Sequence, residues 1–336
     1  MPLCTLHLLS LTTASQLPSL LAHIYTTTTT SPPSENPIIT LAQPLHWIIA
    51  PTTLDADPLL TPEWHFLAIL RSTSPAAEKL ITSIMNADTN TAGFQVAAHY
   101  ELAVGIPARL TDTYHHNNSS GIKTPLPTIT SPTSTTNSNP STTADSSSTT
   151  SPKSEARSQP LSQDFTLTSD LTAYIASQPH RGPISMLNLL CFAPGKKESY
   201  LAYSAQFTSV QGARRGARPK IVGSVIAPAR SKVTARRSAE RDGKEMVEKW
   251  DEIALVEYPS LELFAGMLAD EEYQAVNRAL REPALRDTGI LCVVELGLGA
   301  EKRNDNGNAI SRLRSGIVEN GAVSGGPSGR GEGSKL

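Results

Sequence analysis

The sequence predicts an α+β fold built from two βαββαβ halves, and three observations carry that expectation. The first is an internal echo. Residues 64–70, followed by Ser74, align without a gap on residues 250–256, followed by Ser260. Each copy is an apolar strand that starts at Trp and ends about one turn before a helix N-cap, as expected of a duplicated unit. The second is composition: residues 111–163 are Ser, Thr, Asn and Pro with few large apolar side chains. Such a stretch cannot bury enough surface to offset its ordering entropy and reads as a disordered linker. The third is that apolar runs and helical periodicities alternate in the same order on either side of that linker. The halves are therefore 1–110 and 164–299, with a Gly-, Asn-, Ser- and Arg-rich tail over 300–336 also expected to be disordered.

The elements follow in order. Residues 3–11 form a first strand. Leu17, Leu20, Leu21 and Ile24 recur at helical spacing within 14–25, and 26–33 break that helix. Strands at 45–50 and 64–70 follow. Ser74-Pro75 gives an N-cap with Pro at the first helical position, opening a helix over 76–85, and 99–106 close the half. In the second half, an added amphipathic helix over 165–177 carries Leu167, Leu171 and Ile175. A strand over 184–192 precedes a helix over 197–211 with Tyr200, Tyr203 and Phe207 on one face. Strands at 220–227 and 250–258 flank an insertion of mixed charge at 228–248. Ser260 opens a helix with Leu263, Phe264, Met267 and Leu268 facing inward, a helical piece over 271–280 carries Tyr273, and 290–296 form the last strand.

This order is the ferredoxin-like pattern, whose four-stranded antiparallel sheet is covered by helices on one face and bare on the other. A bare apolar face needs a partner. Two such sheets pressed face to face make an α/β barrel, and the linker supplies the second sheet at high effective concentration. The expectation is a monomer with an intramolecular pseudo-dimer, the alternative being a domain-swapped homodimer.

The 336-residue chain has a net charge of −2, so no global pull toward nucleic acid or anionic lipid is expected. Its three cysteines have no metal-ligand spacing and lie in apolar runs, which suits buried, reduced thiols in a cytoplasmic setting. The first residues are apolar but lack a basic segment and read as a strand rather than a signal peptide. No apolar run reaches the length of a membrane span. Basic residues from Arg214 to Arg237 invite a nucleic-acid reading. Residues 250–258 lack the aromatic run with which RNA-recognition domains stack bases, and Glu240, Asp242, Glu245 and Glu248 dilute the charge. A solvated loop is expected.

The second half resembles a known family. The run Pro183-Ile184-Ser185-Met186-Leu187-Asn188-Leu189-Leu190-Cys191-Phe192, then Tyr200-Leu201-Ala202-Tyr203, then 250–260, then Glu272-Tyr273-Gln274-Ala275 is similar to the domain-of-unknown-function family thirteen-thirty. The likeness covers about 183–297, and the first half looks like a diverged copy. It implies the dimeric α/β-barrel superfamily, whose members include small monooxygenases, haem-using enzymes, cyclases, decarboxylases and ligand-binding modules, and so implies a fold rather than a reaction.

Candidate chemistry sits on strands if the cavity lies between the two sheets. Asn188 is mid-strand among apolar neighbours, and its amide needs partners: a ligand supplies one, or neighbouring backbone does. Glu252 shares strand parity with Trp250, Ala254, Val256 and Tyr258. Facing a cavity it would have a raised pKa and serve as a general base, whereas at the strand end it would be a solvated carboxylate. Asn188 and Glu252 are the catalytic candidates. Tyr258, Tyr273, Arg278 and His7 are the candidate substrate contacts, with helix packing and surface charge as the ordinary readings of Tyr273 and Arg278. His7, His46, His65 and His99 each lie on or beside a first-half strand, but strand order allows at most two to meet, with no carboxylate at a fixed short spacing. No metal, haem or other cofactor is expected. Nucleophile elbows, Walker loops and dinucleotide glycine patterns are absent from the sequence.

The function these observations suggest is binding or conversion of a small apolar or aromatic molecule between the sheets. The alternative is a non-catalytic binding or scaffold module with a side-chain-filled barrel. A cavity walled by Asn188 or Glu252 separates the two.

Overall fold

The computed structural model describes residues 2–29, 36–114, 165–231 and 249–296. Residues 115–163 of the expected linker, the tail and most of the charged insertion lie outside the described residues; the linker's expected first residues, 111–114, instead belong to the fold, with Thr111 and Tyr114 buried. The first half supplies β1 (Leu3–Leu11), α1 (Leu17–Thr29), β2 (Ile38–Ile49), β3 (Phe66–Arg71), α2 (Pro75–Met85) and β4 (Val96–Gly105). The second supplies α3 (Ser169–Ser177), β5 (Ile184–Phe192), α4 (Lys197–Gln206), β6 (Arg218–Val225), a two-residue β7 (Arg230–Ser231), β8 (Glu252–Tyr258), α5 (Leu261–Leu268), α6 (Glu271–Val276) and β9 (Leu285–Leu296).

Hydrogen bonding joins the strands in the order β1-β3-β2-β9-β5-β8-β6-β4, and β4 pairs back onto β1. The sheet is therefore a closed, antiparallel eight-stranded barrel, which removes the free edges an open sheet would present. Within each half the spatial order is fourth, first, third, second strand, as the ferredoxin-like reading requires. The two seams between halves are unequal. β2 and β9 pair from Leu41↔Leu296 to Ile49↔Ile290, whereas β4 and β6 share only Val104↔Val225 and Gly105↔Ser224. Gly223 faces the short seam, and a Cβ there would stand 2.6 Å from Val104 Cγ1 and 3.0 Å from the Gly105 carbonyl oxygen.

Three apolar clusters follow from strand alternation. Leu6, Leu8, Leu67, Ile69, Leu102, Leu187, Leu189, Ile253, Leu255, Leu291 and Val293 point into the barrel and fill it together with Trp64, Tyr100 and Trp250. The opposite parity packs under the helices, Leu9, Phe66 and Leu70 against α1 and α2, and Met186, Leu190, Tyr258 and Ile290 against the second-half helices. Both tryptophans of the internal echo thus enter the same core. Trp64 Nε1 donates to the Leu59 carbonyl at 2.7 Å, and Trp250 Nε1 donates to the Tyr100 hydroxyl at 3.1 Å. Both echo serines are N-caps: Ser74 Oγ accepts from the Ala76 N–H and Ser260 Oγ from the Leu263 N–H.

Element ends differ from expectation where side chains override propensity. α1 runs to Thr29, and within it the hydroxyls of Thr26, Thr27, Thr28 and Thr29 donate to carbonyls one turn back. β2 begins at Ile38 rather than 45, and Pro44 is carried by a register shift between Pro44 and His46. The expected helix over 197–211 turns into a π-helix at Phe207–Gln211, and the piece after α6 does so at Asn277–Arg281. All three cysteines are buried and unbridged. No helix among the described residues is long and apolar enough to cross a membrane.

Candidate functional site

The sheet-to-sheet interior does not receive the residues expected there. β5 directs Leu187, Leu189 and Cys191 into the barrel, so Asn188 faces the helix layer. Its amide nitrogen donates to the carbonyls of Met186 at 3.0 Å and Ala254 at 3.3 Å. β8 likewise sends Ile253 and Leu255 inward, leaving Glu252 on the helix side. There it pairs with Lys197 at 3.2 Å. The parity shared with Trp250 does not hold because Trp250 precedes the strand and folds into the barrel. Placing Asn188 and Glu252 on a cavity wall between the sheets is thus corrected: both belong to the space beneath the second-half helices.

That space holds a polar-aromatic cluster. Tyr203 and Tyr273 hydroxyls are 3.0 Å apart, Tyr200 and Tyr203 rings lie 5.5 Å apart, and Tyr258 meets Phe264 edge-on at 5.1 Å. Burial, ahead of every other cause, raises the pKa of all four tyrosines, while Arg281 pulls each of them back down. Glu252 also raises Tyr200, which places its carboxylate beside the cluster. Two of the expected substrate contacts, Tyr258 and Tyr273, therefore do come together. Arg278 does not: it is exposed.

The cation in the cluster is Arg281, only 2 % exposed. Its guanidinium lies 4.6 Å over the Phe165 ring, and Nη1 reaches Asn277 Oδ1 at a long 3.5 Å. Nη2 is buried with no hydrogen-bond partner in the protein, and no described carboxylate pairs with the group. An uncompensated buried cation is costly, and a planar guanidinium fork suits the oxygens of a small anion or carbonyl compound. Sequence reading missed Arg281, although Tyr273, Asn277 and Arg281 stand at i, i+4 and i+8. Arg281 ends a π turn at Asn277–Arg281, and a second π turn at Phe207–Gln211 packs in the same layer. Such turns are frequent at functional sites.

Polar groups also cap both ends of the barrel. At one end Lys220, expected in a solvated basic loop, instead has its side chain enclosed between Glu257 at 3.1 Å and Glu295 at 2.6 Å. Ser185 and Tyr114 hydroxyls complete the set on Glu295 at 2.5 and 2.6 Å. Arg214, Arg215 and Arg218 pair with Glu272, Asp270 and Glu257, so this part of the basic run is neutralised by the fold. At the other end the Tyr100 hydroxyl donates to Asp55 at 2.8 Å. Burial raises the Asp55 pKa, and Asp55 sits at a left-handed φ of 51°.

The first-half histidines also depart from expectation. His7 is buried on the outer face of β1, its Nδ1 3.0 Å from His99 Nε2. Glu101 Oε2 lies 4.0 Å from the same Nδ1. Burial, then the nearby His99 and Arg230 charges, pushes the His7 pKa down to about 3. His46 stacks on Tyr174, and His65 Nδ1 accepts from the Leu11 N–H. The fold brings Glu101, two residues from His99 in sequence, beside His7, and His7 is not part of the second-half tyrosine cluster.

No family model and no curated protein matches the chain. Among solved structures, a Rhodopseudomonas palustris protein of unknown function is 23 % identical, covering 37 % of this chain and 91 % of its own, with a TM-score of 0.28. An anthrone oxidase-like protein is 11 % identical over 87 % of this chain and 91 % of its own, with a TM-score of 0.40. Chlorite dismutase from Candidatus Nitrospira defluvii, in complex with imidazole, is 9 % identical over 86 % and 90 %, with a TM-score of 0.35. The strand order of this chain stands independently of these likenesses.

Proposed function

We propose that the chain binds a small, flat, oxygen-bearing molecule beneath the helices of its second half, rather than between its sheets. The observation that supports this reading is Arg281, a buried guanidinium whose Nη2 has no protein partner, ringed by four tyrosines. In this reading Arg281 meets an anionic or carbonyl oxygen of the ligand and the Tyr200, Tyr203, Tyr258 and Tyr273 rings hold its flat faces. The Tyr203 and Tyr273 hydroxyls, kept neutral by burial, offer further hydrogen bonds. Glu252 is the acid/base group if the bound molecule is converted. Entry requires the layer of α4, α6 and the two π turns to part, which breaks the bond from the Ser199 hydroxyl to the Leu280 carbonyl and that between the Tyr203 and Tyr273 hydroxyls.

The matching strand order and the shared Trp-to-Ser spacing support the view that the halves are duplicated copies, and the runs 183–192, 200–203, 250–260 and 272–275 support reading the second as a member of the family thirteen-thirty. A second reading, a scaffold with no ligand, is favoured by the filled barrel interior.

Native mass spectrometry of the full chain, then titration with aromatic carboxylates and phenols followed by tyrosine and tryptophan fluorescence, separates the two. A co-purified mass or a saturable titration that Arg281→Met abolishes supports the site. Binding unchanged in Arg281→Met, or no binding by any of these compounds, leaves the scaffold.

A further inference from the structure

The outer face of β1 and β4 carries a second constellation, independent of the tyrosine site. We propose that His7, His99 and Glu101 form a binding site for a divalent transition-metal ion of the zinc(II) class.

His7 Nδ1 and His99 Nε2 face each other at 3.0 Å, Glu101 Oε2 is 4.0 Å from His7 Nδ1, and all three donor atoms fall within 4.8 Å of one another. Zinc bonds of about 2.0–2.1 Å place the donors of a tetrahedral site about 3.3 Å apart. The observed triangle reaches that geometry by small side-chain rotations. Cross-strand register makes the arrangement rigid: His7 is paired with Glu101, and Leu9 with His99, across β1 and β4. His99 and Glu101, two residues apart on one strand, share its outer face.

The surroundings resemble the outer shell of a metal site. His7 Nε2 lies 2.8 Å from Thr5 Oγ1, and Ser72 Oγ donates to that same oxygen. In the tautomer in which the Thr5 oxygen accepts from Nε2–H, the lone pair of His7 is on Nδ1, the atom turned toward His99. Two neutral imidazoles meeting nitrogen to nitrogen share one proton, and the cation takes that proton's place. Two imidazoles and one carboxylate match borderline divalent ions rather than calcium or magnesium, which prefer oxygen donors. Three protein donors leave a fourth position for water or for a ligand atom. Arg230 of β7 holds the other carboxylate oxygen of Glu101. It competes for the same charge and lowers the affinity.

The test uses the full chain, stripped by chelation and dialysis. Zinc(II) chloride is titrated calorimetrically with thermal melts in parallel, and cobalt(II) is substituted for its visible absorption spectrum. The expected result is one equivalent bound, a raised Tm and d–d bands of a low-coordinate nitrogen and oxygen site. His99→Asn and Glu101→Gln should each weaken binding on the order of tenfold or more. Arg230→Ala, a change at an exposed side chain that leaves all three donors in place, should tighten it. Absence of uptake by the wild-type chain overturns the proposal. So does stoichiometric uptake in His99→Asn with wild-type affinity, or an Arg230→Ala variant that binds no more tightly than wild type.

Discussion

Arg281 illustrates what a single side chain contributes and what it costs. A guanidinium taken from water without a carboxylate partner loses solvation that its contact with Phe165 only partly returns. Replacing it by an apolar chain of similar length should therefore leave stability unchanged or raise it. In urea unfolding, Arg281→Met is expected to hold or increase ΔG, and a loss above about 3 kcal/mol would mean the group is a structural partner instead. The sequence contained the clue, since Tyr273, Asn277 and Arg281 fall on one helical stripe. It also contained Arg278, equally basic and three residues earlier. Arg281 shares the buried stripe of Tyr273 and Asn277, whereas Arg278 lies on the exposed face. The histidine cluster was legible in a similar, partial way: His99 and Glu101 stand two apart on a strand, but their meeting with His7 depends on cross-strand register.

At the scale of elements, the joint between halves rests on Asp287 at the start of β9. Its carboxylate is fully buried and accepts from the N–H groups of Thr52, Thr53 and Leu54 and from both threonine hydroxyls. Burial alone would raise its pKa, but these hydrogen bonds together outweigh burial and hold it below the ordinary carboxylate value. A depressed pKa stabilises the fold fully above about pH 4 and loses that contribution as pH falls through the lowered folded value. Asp287→Asn should therefore lower Tm at pH 7 and flatten the fall of Tm with acid below pH 4, measured by melts from pH 2 to 7. Equal acid slopes in the two proteins would refute this role. Each charge-assisted bond contributes about 1.5–3 kcal/mol in such settings, so the loss at neutral pH should be readily measured. Helix caps were legible locally, as Ser74 and Ser260 show, because a cap depends on residues within one turn. The extent of β2 was not, because a proline argues against a strand until a partner offers a bulge to carry it.

For the whole molecule, closure of the barrel makes each half the partner of the other. All eight barrel strands come from one chain, so native mass spectrometry is expected to give the mass of a single chain, and a twofold mass would indicate swapped halves. The unequal seams predict where the barrel opens first. Amide exchange should be faster at Val104, Gly105 and Ser224 than along β2 and β9, because two residue pairs and the Ile226 N–H bond to the Ala103 carbonyl hold the first seam. Gly223→Ala places a methyl against Val104 and Ile106 and should cost about 1–3 kcal/mol by overpacking. An unchanged unfolding midpoint would show that the short seam already yields.

The sequence by itself determined the α+β class, the two βαββαβ halves, the Trp and Ser landmarks of each, and a buried interior for the cysteines. These depend on periodicity, composition and contacts within a turn or two, which a linear pattern records. Only the tertiary structure decided which face of β5 and β8 lines the barrel, that Lys220 is enclosed by carboxylates, and that Arg281 rather than Arg278 enters the tyrosine cluster. Strand parity divides residues into two sets, but which set meets helices and which meets the other half is fixed by how the sheets close. The same holds for His7, His99 and Glu101, brought within reach by a register between strands some ninety residues apart.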